Sequence, residues 1–281
     1  MVIFTTLHVA CEYRKILVAR PGWGLLFICA TLNSMKSIIS IKNFAMTFGK
    51  TEVIKDLSFD VQRGETFGLL GSNGSGKTTT IRALLGIYIP TAGELLIDGK
   101  PYSVGGGVKL GYLPEERGLY KKESVIDTMV YFGQLKGLSR DEARQQSLAF
   151  LERVKLGDKA KTRLDKLSGG QQQKIQLGIT VLGDPELLIL DEPTKGFDPV
   201  NRRLLMDIIE DHQKRGATVV MITHQMEEVE QLCDRIILLK DGKARAYGTI
   251  AEVRKKFAGK SLDDIFVSVY GDENNEEADH A

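Results

Sequence analysis

The residues best placed to do chemistry begin with a glycine-rich run, "GSNGSGKTT": Gly71, Ser72, Asn73, Gly74, Ser75, Gly76, Lys77, Thr78 and Thr79. It follows the apolar stretch "FGLL" and opens a helical pattern, the context that a GxxxxGK[ST] phosphate loop requires. Glycines let the backbone close around phosphates, and the amides of Gly74, Ser75, Gly76 and Lys77 can point inward as anion donors. The helix start adds its positive end. Lys77 can reach the β- and γ-phosphates, and the Thr78 hydroxyl can ligate Mg²⁺. The plain alternative is a structural strand-to-helix turn, and the full pattern in this context argues against it. A nucleoside triphosphate is the expected ligand.

A second group stands at strand ends. "ELLILDEPT" drives four apolar residues into Asp191 and Glu192. Two carboxylates ending a buried strand are costly unless a cation or a hydrogen-bond donor meets them. Asp191 suits Mg²⁺, and Glu192 suits a general base on the attacking water. A strand-end acidic turn before Pro193 is the bland reading, and it weakens once the phosphate loop is considered with it. His224 follows "ATVVMIT". Alone it would be a strand-end hydrogen-bonder, but in a parallel sheet ligands gather at the carboxyl ends of strands. Gly71, Asp191 and His224 should therefore converge, with His224 sensing the γ-phosphate.

The third group is "LSGGQQQK". Locally, Ser168 and Gln171 spell a capping box opening a helix to about Leu182. That does not explain Gly169 and Gly170, since glycine in a first turn costs stability. A serine and two glycines at an exposed helix start make a second anion site without a lysine. Two phosphate-binding ends far apart in one chain would serve one nucleotide only in a head-to-tail C2 pair. Each nucleotide would then lie between one copy's Lys77 loop and the other's Ser168 loop.

The elements expected to carry these residues are an α/β set. Residues 36–99 are strand-rich, interrupted by a helix over 77–88 that stops before Pro90. Residues 124–182 read as mostly helical. Strands return in "ELLILDE", "ATVVMITH" and "DRIILLKDGK", each followed by a helix pattern, which predicts a parallel core with an inserted helical block. The end, "GDENNEEADHA", is expected to be a frayed acidic tail. Residues 13–32 superficially resemble a signal peptide. Arg20, Pro21, Gly22 and Gly24 break the apolar run below spanning length, so the functional domain is expected to start near Met35, with the first 34 residues a poorly ordered leader or an over-called start site. A membrane-surface anchor is the other reading of that segment.

The 281 residues, 42% hydrophobic, suffice for a substantial core. Lys and Arg total 38 against 37 Asp and Glu, which gives no electrostatic ground for a nucleic-acid partner. Cys11, Cys29 and Cys233 form no CxxC pair, fitting a reducing compartment rather than a disulfide framework or zinc site.

Together these motifs, in this order, resemble the nucleotide-binding subunit of an ABC transporter over residues 35–250. "GSNGSGKTT" resembles the Walker A, "LSGGQ" the ABC signature, "LLILDE" the Walker B with its catalytic glutamate, and "KGFD", ending at Asp198, the D-loop. "THQM" carries the switch histidine, and Phe48 stands where an aromatic stacks on adenine. The resemblance implies a P-loop NTPase core of mostly parallel sheet, an N-terminal antiparallel β subdomain and an inserted helical signature subdomain over about 120–182. Residues 1–34 would precede this domain, and 251–281 would form a short C-terminal extension. ATP and Mg²⁺ are the implied ligands. Ser168, Gly169, Gly170, Gln171 and Asp198 would contact nucleotide, and Lys77, Glu192 and His224 would carry catalysis. The implied partners are a second ATP-binding subunit, most simply a second copy, and separate transmembrane permease subunits at the cytoplasmic face of the cell membrane.

"GYLPEERGLY" puts Glu115 where the family has its Q-loop glutamine. A carboxylate can approach Mg²⁺ or its water shell, but it cannot donate a hydrogen bond as glutamine does. The same stretch and the tail resemble an exporter branch that includes sodium-extrusion and antibiotic-efflux ATPases. Residues 117–129 are expected to help form the groove that docks the membrane partner. The competing readings are a soluble regulatory ATPase acting on ribosomes or DNA, and a module that holds ATP without hydrolysis. One signature and no heptad run argue against the first, and Lys77, Glu192 and His224 argue against the second.

Overall fold

The structure, a computed structural model, describes residues 37–105, 107–116, 118–120 and 122–271. The expected leader and the acidic tail lie outside the described residues.

Strands β1 (Ser37–Phe48) and β2 (Thr51–Gln62) pair as a hairpin, and β4 (Ala92–Ile97) joins the free side of β1. All these pairings are antiparallel, giving the expected N-terminal β layer. A second sheet runs β5-β6-β7-β3-β8-β9. Its strands are β3 (Thr66–Gly71), β5 (Leu110–Leu113), β6 (Leu187–Asp191), β7 (Thr218–Ile222), β8 (Arg235–Lys240) and β9 (Lys243–Thr249). The first five in that order are parallel, and β9 closes the edge antiparallel to β8. β3, β6 and β7 are buried at every position, because both faces of a parallel sheet are covered.

Side-chain alternation splits each of these strands between two cores. Leu187, Ile189, Val220 and Ile222 face the antiparallel layer and helix α1 (Lys77–Leu84). Leu188, Leu190, Val219 and Met221 face the other way, toward α2 (Val125–Leu135), α3 (Arg140–Arg153), α4 (Gly169–Val181), α5 (Pro199–Lys214) and α6 (Met226–Leu232). The helical block is tied internally as well. The Lys136 ammonium donates to the α4 end carbonyls of Ile179 (2.7 Å) and Thr180 (2.6 Å), and burial pulls its pKa down to about 8.

Four details depart from expectation. α1 ends at Leu84 rather than near Tyr88, because Gly86 takes φ 69° and the Ile87 amide turns back to the Arg82 carbonyl. The short strand β5 has only four residues of pattern, too few to read as a strand. β8 turns through Asp241-Gly242 into β9 before any helix follows. Finally, the segment expected as an extension holds α7 (Ile250–Lys256) and α8 (Leu262–Tyr270), whose Val253, Leu262, Ile265 and Tyr270 join the helical-side core. Among the described residues, no helix is long and apolar enough to cross a membrane.

Candidate functional site

Register places the chemistry. Leu69, Ile222 and Asp191 lie level across β3, β7 and β6, so Gly71, His224 and Glu192 all emerge at one edge of the sheet. There they line a cleft of about 660 Å³ together with Ser72, Asn73, Gly74, Gly76, Lys77, Thr78, Thr79 and Glu115. The expected convergence is present.

The loop's tightness explains its glycines. A Cβ on Gly71 would sit 2.3 Å from Ser75 Oγ and 2.7 Å from the Leu239 carbonyl. Gly76 has φ 101°, and a Cβ there would meet Ile54 at 2.2 Å. Lys77 Nζ donates to the carbonyls of Gly71 and Ser72, both at 2.8 Å, which holds the ammonium over the loop. Burial pulls its pKa down, and the charges of Glu192, Asp191 and Glu115 push it back up.

Asp191 is 2% exposed and accepts from Thr78 Oγ1 at 3.3 Å. Burial first, and then the Glu115 charge, raise its pKa to about 6. Glu192 stands at φ 50°, an uncommon conformation for a side-chain-bearing residue, of the kind that concentrates at functional sites. Its amide donates to the Ile222 carbonyl at 2.8 Å, and the turn aims its carboxylate at His224, with Oε1 2.8 Å from Nδ1. The other oxygen, Oε2, is buried without a hydrogen-bond partner in the chain, as is Ser75 Oγ. These orphaned atoms and the perturbed Asp191 carboxyl fit a cation-bound, water-attacked phosphate. Among the described residues no three His, Cys, Asp or Glu side chains cluster as a self-sufficient metal site, so a cation would share its ligands with the phosphates.

Other expected residues lie elsewhere. Ser168 and Gln171 form the capping box (Gln171 amide to Ser168 Oγ 3.3 Å, Ser168 amide to Gln171 Oε1 2.9 Å), and neither they nor Gly169 and Gly170 line the cleft. Asp198 caps α5 by accepting from the Asn201 amide at 3.0 Å, also outside the cleft. Phe48 is 43% exposed and packs edge-on against Tyr88, with ring centroids 5.3 Å apart, rather than lining the cleft. Glu115 does line it, but its Oε1 accepts from Lys195 Nζ at 2.6 Å, so an ion pair competes with its expected cation role.

Sequence reasoning missed a supporting frame. Gln173 Nε2 donates to the Pro193 carbonyl at 3.0 Å, and Gln176 Nε2 to the Glu116 carbonyl at 3.0 Å. The signature helix α4 thus grips the segments that carry both Glu192 and Glu115. The run of glutamines was the available signal. Below the site, buried Glu228 accepts from the hydroxyls of Thr194 and Thr223 (3.1 Å for the latter), tying the loop after Glu192 to the strand end before His224. Burial raises the Glu228 pKa.

A family model described as "ABC transporter" matches residues 54–195, which run from β2 through the cleft to Lys195. The chain belongs to the ABC transporter family. An ABC transporter ATP-binding protein of Methanocaldococcus jannaschii is 43% identical over 224 residues, covering 80% of this chain and 82% of that one. A Nod factor export ATP-binding protein I of a Rhizobium species is 35% identical over 234 residues, covering 82% and 77%. A solved ATP-binding subunit of an ABC transporter superposes with TM-score 0.76 at 29% identity, over 83% of this chain and 99% of that one. This ABC subunit therefore binds ATP and hydrolyses it to power transport, and a regulatory ATPase is not favoured.

Proposed function

We propose that the subunit works as half of a head-to-tail, two-copy ATP sandwich, energising export through separate transmembrane chains at the cytoplasmic face of the membrane. One observation carries the pairing. The capped, glycine-bearing start of α4 is intact yet stands outside the Lys77 cleft, so only a second copy can bring Ser168, Gly169, Gly170 and Asp198 to this copy's nucleotide. Export is supported by the Nod factor relative.

The Lys77 loop holds the triphosphate through backbone amides and the ammonium. Thr78 and Asp191 fit Mg²⁺, which when bound neutralises charge on the phosphates. Glu192 takes a proton from the attacking water, using the oxygen that no chain donor occupies. His224 positions that carboxylate through Nδ1 and faces the γ-phosphate. For the membrane partner, Tyr120 stacks on Phe132 and meets Tyr131 edge-on (centroids 6.1 Å in both pairs), and with Thr128 it lines an open hollow of about 390 Å³.

The test is purification from native membranes in mild detergent, with co-purifying chains identified by mass spectrometry. A polytopic membrane protein in near-equal amount is expected, and Tyr120→Glu should reduce its recovery. Recovery of the subunit alone or with ribosomal proteins would refute the export reading.

A further inference from the structure

Two ammonium groups line the cleft: Lys77 of the phosphate loop, and Lys195, which no step of the hydrolysis employs. Lys195 Nζ donates to Glu115 Oε1 at 2.6 Å, across 80 residues of chain. Both ends of this pair stand on anchored backbone. The Lys195 amide donates to the Glu192 carbonyl at 3.2 Å, and Gln173 holds the Pro193 carbonyl at 3.0 Å. On the other side, Gln176 Nε2 holds the Glu116 carbonyl at 3.0 Å. The Glu116 carboxylate itself turns to Arg82, 3.6 Å away, and does not line the cleft. Of these two adjacent acids, only Glu115 faces the ligand.

Three carboxylates, Asp191, Glu192 and Glu115, line the same space. With all of them ionised and His224 neutral, the cleft carries one more negative than positive charge. Without Lys195 the excess would be two, a poor environment for an entering triphosphate. Lys195 answers all three acids. Its pKa is raised, first by the hydrogen bond and charge of Glu115, and then by the charges of Glu192 and Asp191. We propose that Lys195 is the positioning residue that makes a carboxylate tolerable at Glu115: it holds that group by Oε1 and cancels its charge, so that the triphosphate of ATP can enter. This rests on the Lys77 loop holding the phosphates. The pair is about half exposed, so it adds little to the stability of the fold. Its consequence falls on the ligand instead, because a polyphosphate senses the summed charge of the cleft that receives it.

Titration calorimetry of the full chain with the Mg²⁺ complex of a non-hydrolysable ATP analogue tests this. In about 0.05 M salt, Lys195→Met should weaken binding on the order of fivefold, and the loss should shrink toward nothing in about 0.5 M salt. Lys195→Arg, which keeps the charge, should bind as wild type does. Glu115→Gln removes the acid that Lys195 answers, so adding Lys195→Met to it should cost less than about twofold. Unchanged affinity on Lys195→Met in low salt would overturn the inference. An equal loss with and without Glu115→Gln would overturn it too, because Lys195 would then act on the ligand or on the fold rather than through Glu115. Lys77→Ala tests the premise separately: it should abolish binding of the analogue, and if binding persisted the phosphate-loop reading itself would fail.

Discussion

Replacing Asp191 with asparagine should stabilise the ligand-free subunit relative to wild type as pH rises, although it disables the site. The carboxyl is 2% exposed, and burial together with the nearby Glu115 charge lifts its pKa from 3.8 to about 6. The folded chain therefore holds this proton more tightly than the unfolded chain does. The stabilisation is fully present below pH 3.8 and is lost as pH climbs through 6. Two units at 1.36 kcal/mol each make that loss about 3 kcal/mol, an upper figure. The asparagine amide does not titrate, so the difference between variant and wild type should grow by that amount between about pH 4 and 7 and then level off. Urea unfolding at half-unit steps, followed by circular dichroism, measures it. Using the slope removes any constant penalty from an unpaired amide. Mg²⁺ with ATP should shrink the wild-type loss, since a cation favours the ionised carboxylate. A variant-to-wild-type difference independent of pH would refute the reasoning, because it would mean that Asp191 titrates normally in the fold.

Glu192→Gln keeps the bulk at φ 50° but removes the base. ATP binding should persist while turnover falls about 10²-fold or more and an ATP-bound dimer accumulates, and hydrolysis at the normal rate would discard the general-base role. Ser168→Arg should abolish hydrolysis yet leave ATP binding to the monomer intact by equilibrium dialysis, whereas loss of monomer binding would place Ser168 in its own copy's site. Glu228→Ala strips two buried hydroxyls of their acceptor and should cost about 2–4 kcal/mol in chemical unfolding, with a fall in kcat. Glu228→Gln, which retains an acceptor, should recover most of both, and equal damage from the two would mean that charge rather than hydrogen bonding matters there.

Much of the site was legible because its parts are local. The phosphate loop needs consecutive glycines and Lys77-Thr78, Asp191-Glu192 end an uninterrupted apolar strand, and the Ser168–Gln171 box is complete within four residues. The alternation of apolar runs and helical patterns likewise announces the parallel core. What sequence alone could not determine depends on partners remote along the chain. Glu115 could be placed at a motif position, but only the fold brings Lys195 to 2.6 Å from it. Phe48 carries an aromatic ring at the expected place, yet packing against Tyr88 decides which way it faces. Glu228 and Gln173 read as ordinary helix residues until the loops they hold are folded against them. The tail helix α8 shows, as sequence, only a capped amphipathic turn or two. Hydrogen bonds linking Tyr270 to Leu239 and Lys240 to Val269 fasten it to β8. Local motifs specify which groups are available. Long-range packing decides which of them meet, because a side chain's direction follows from what it is buried against.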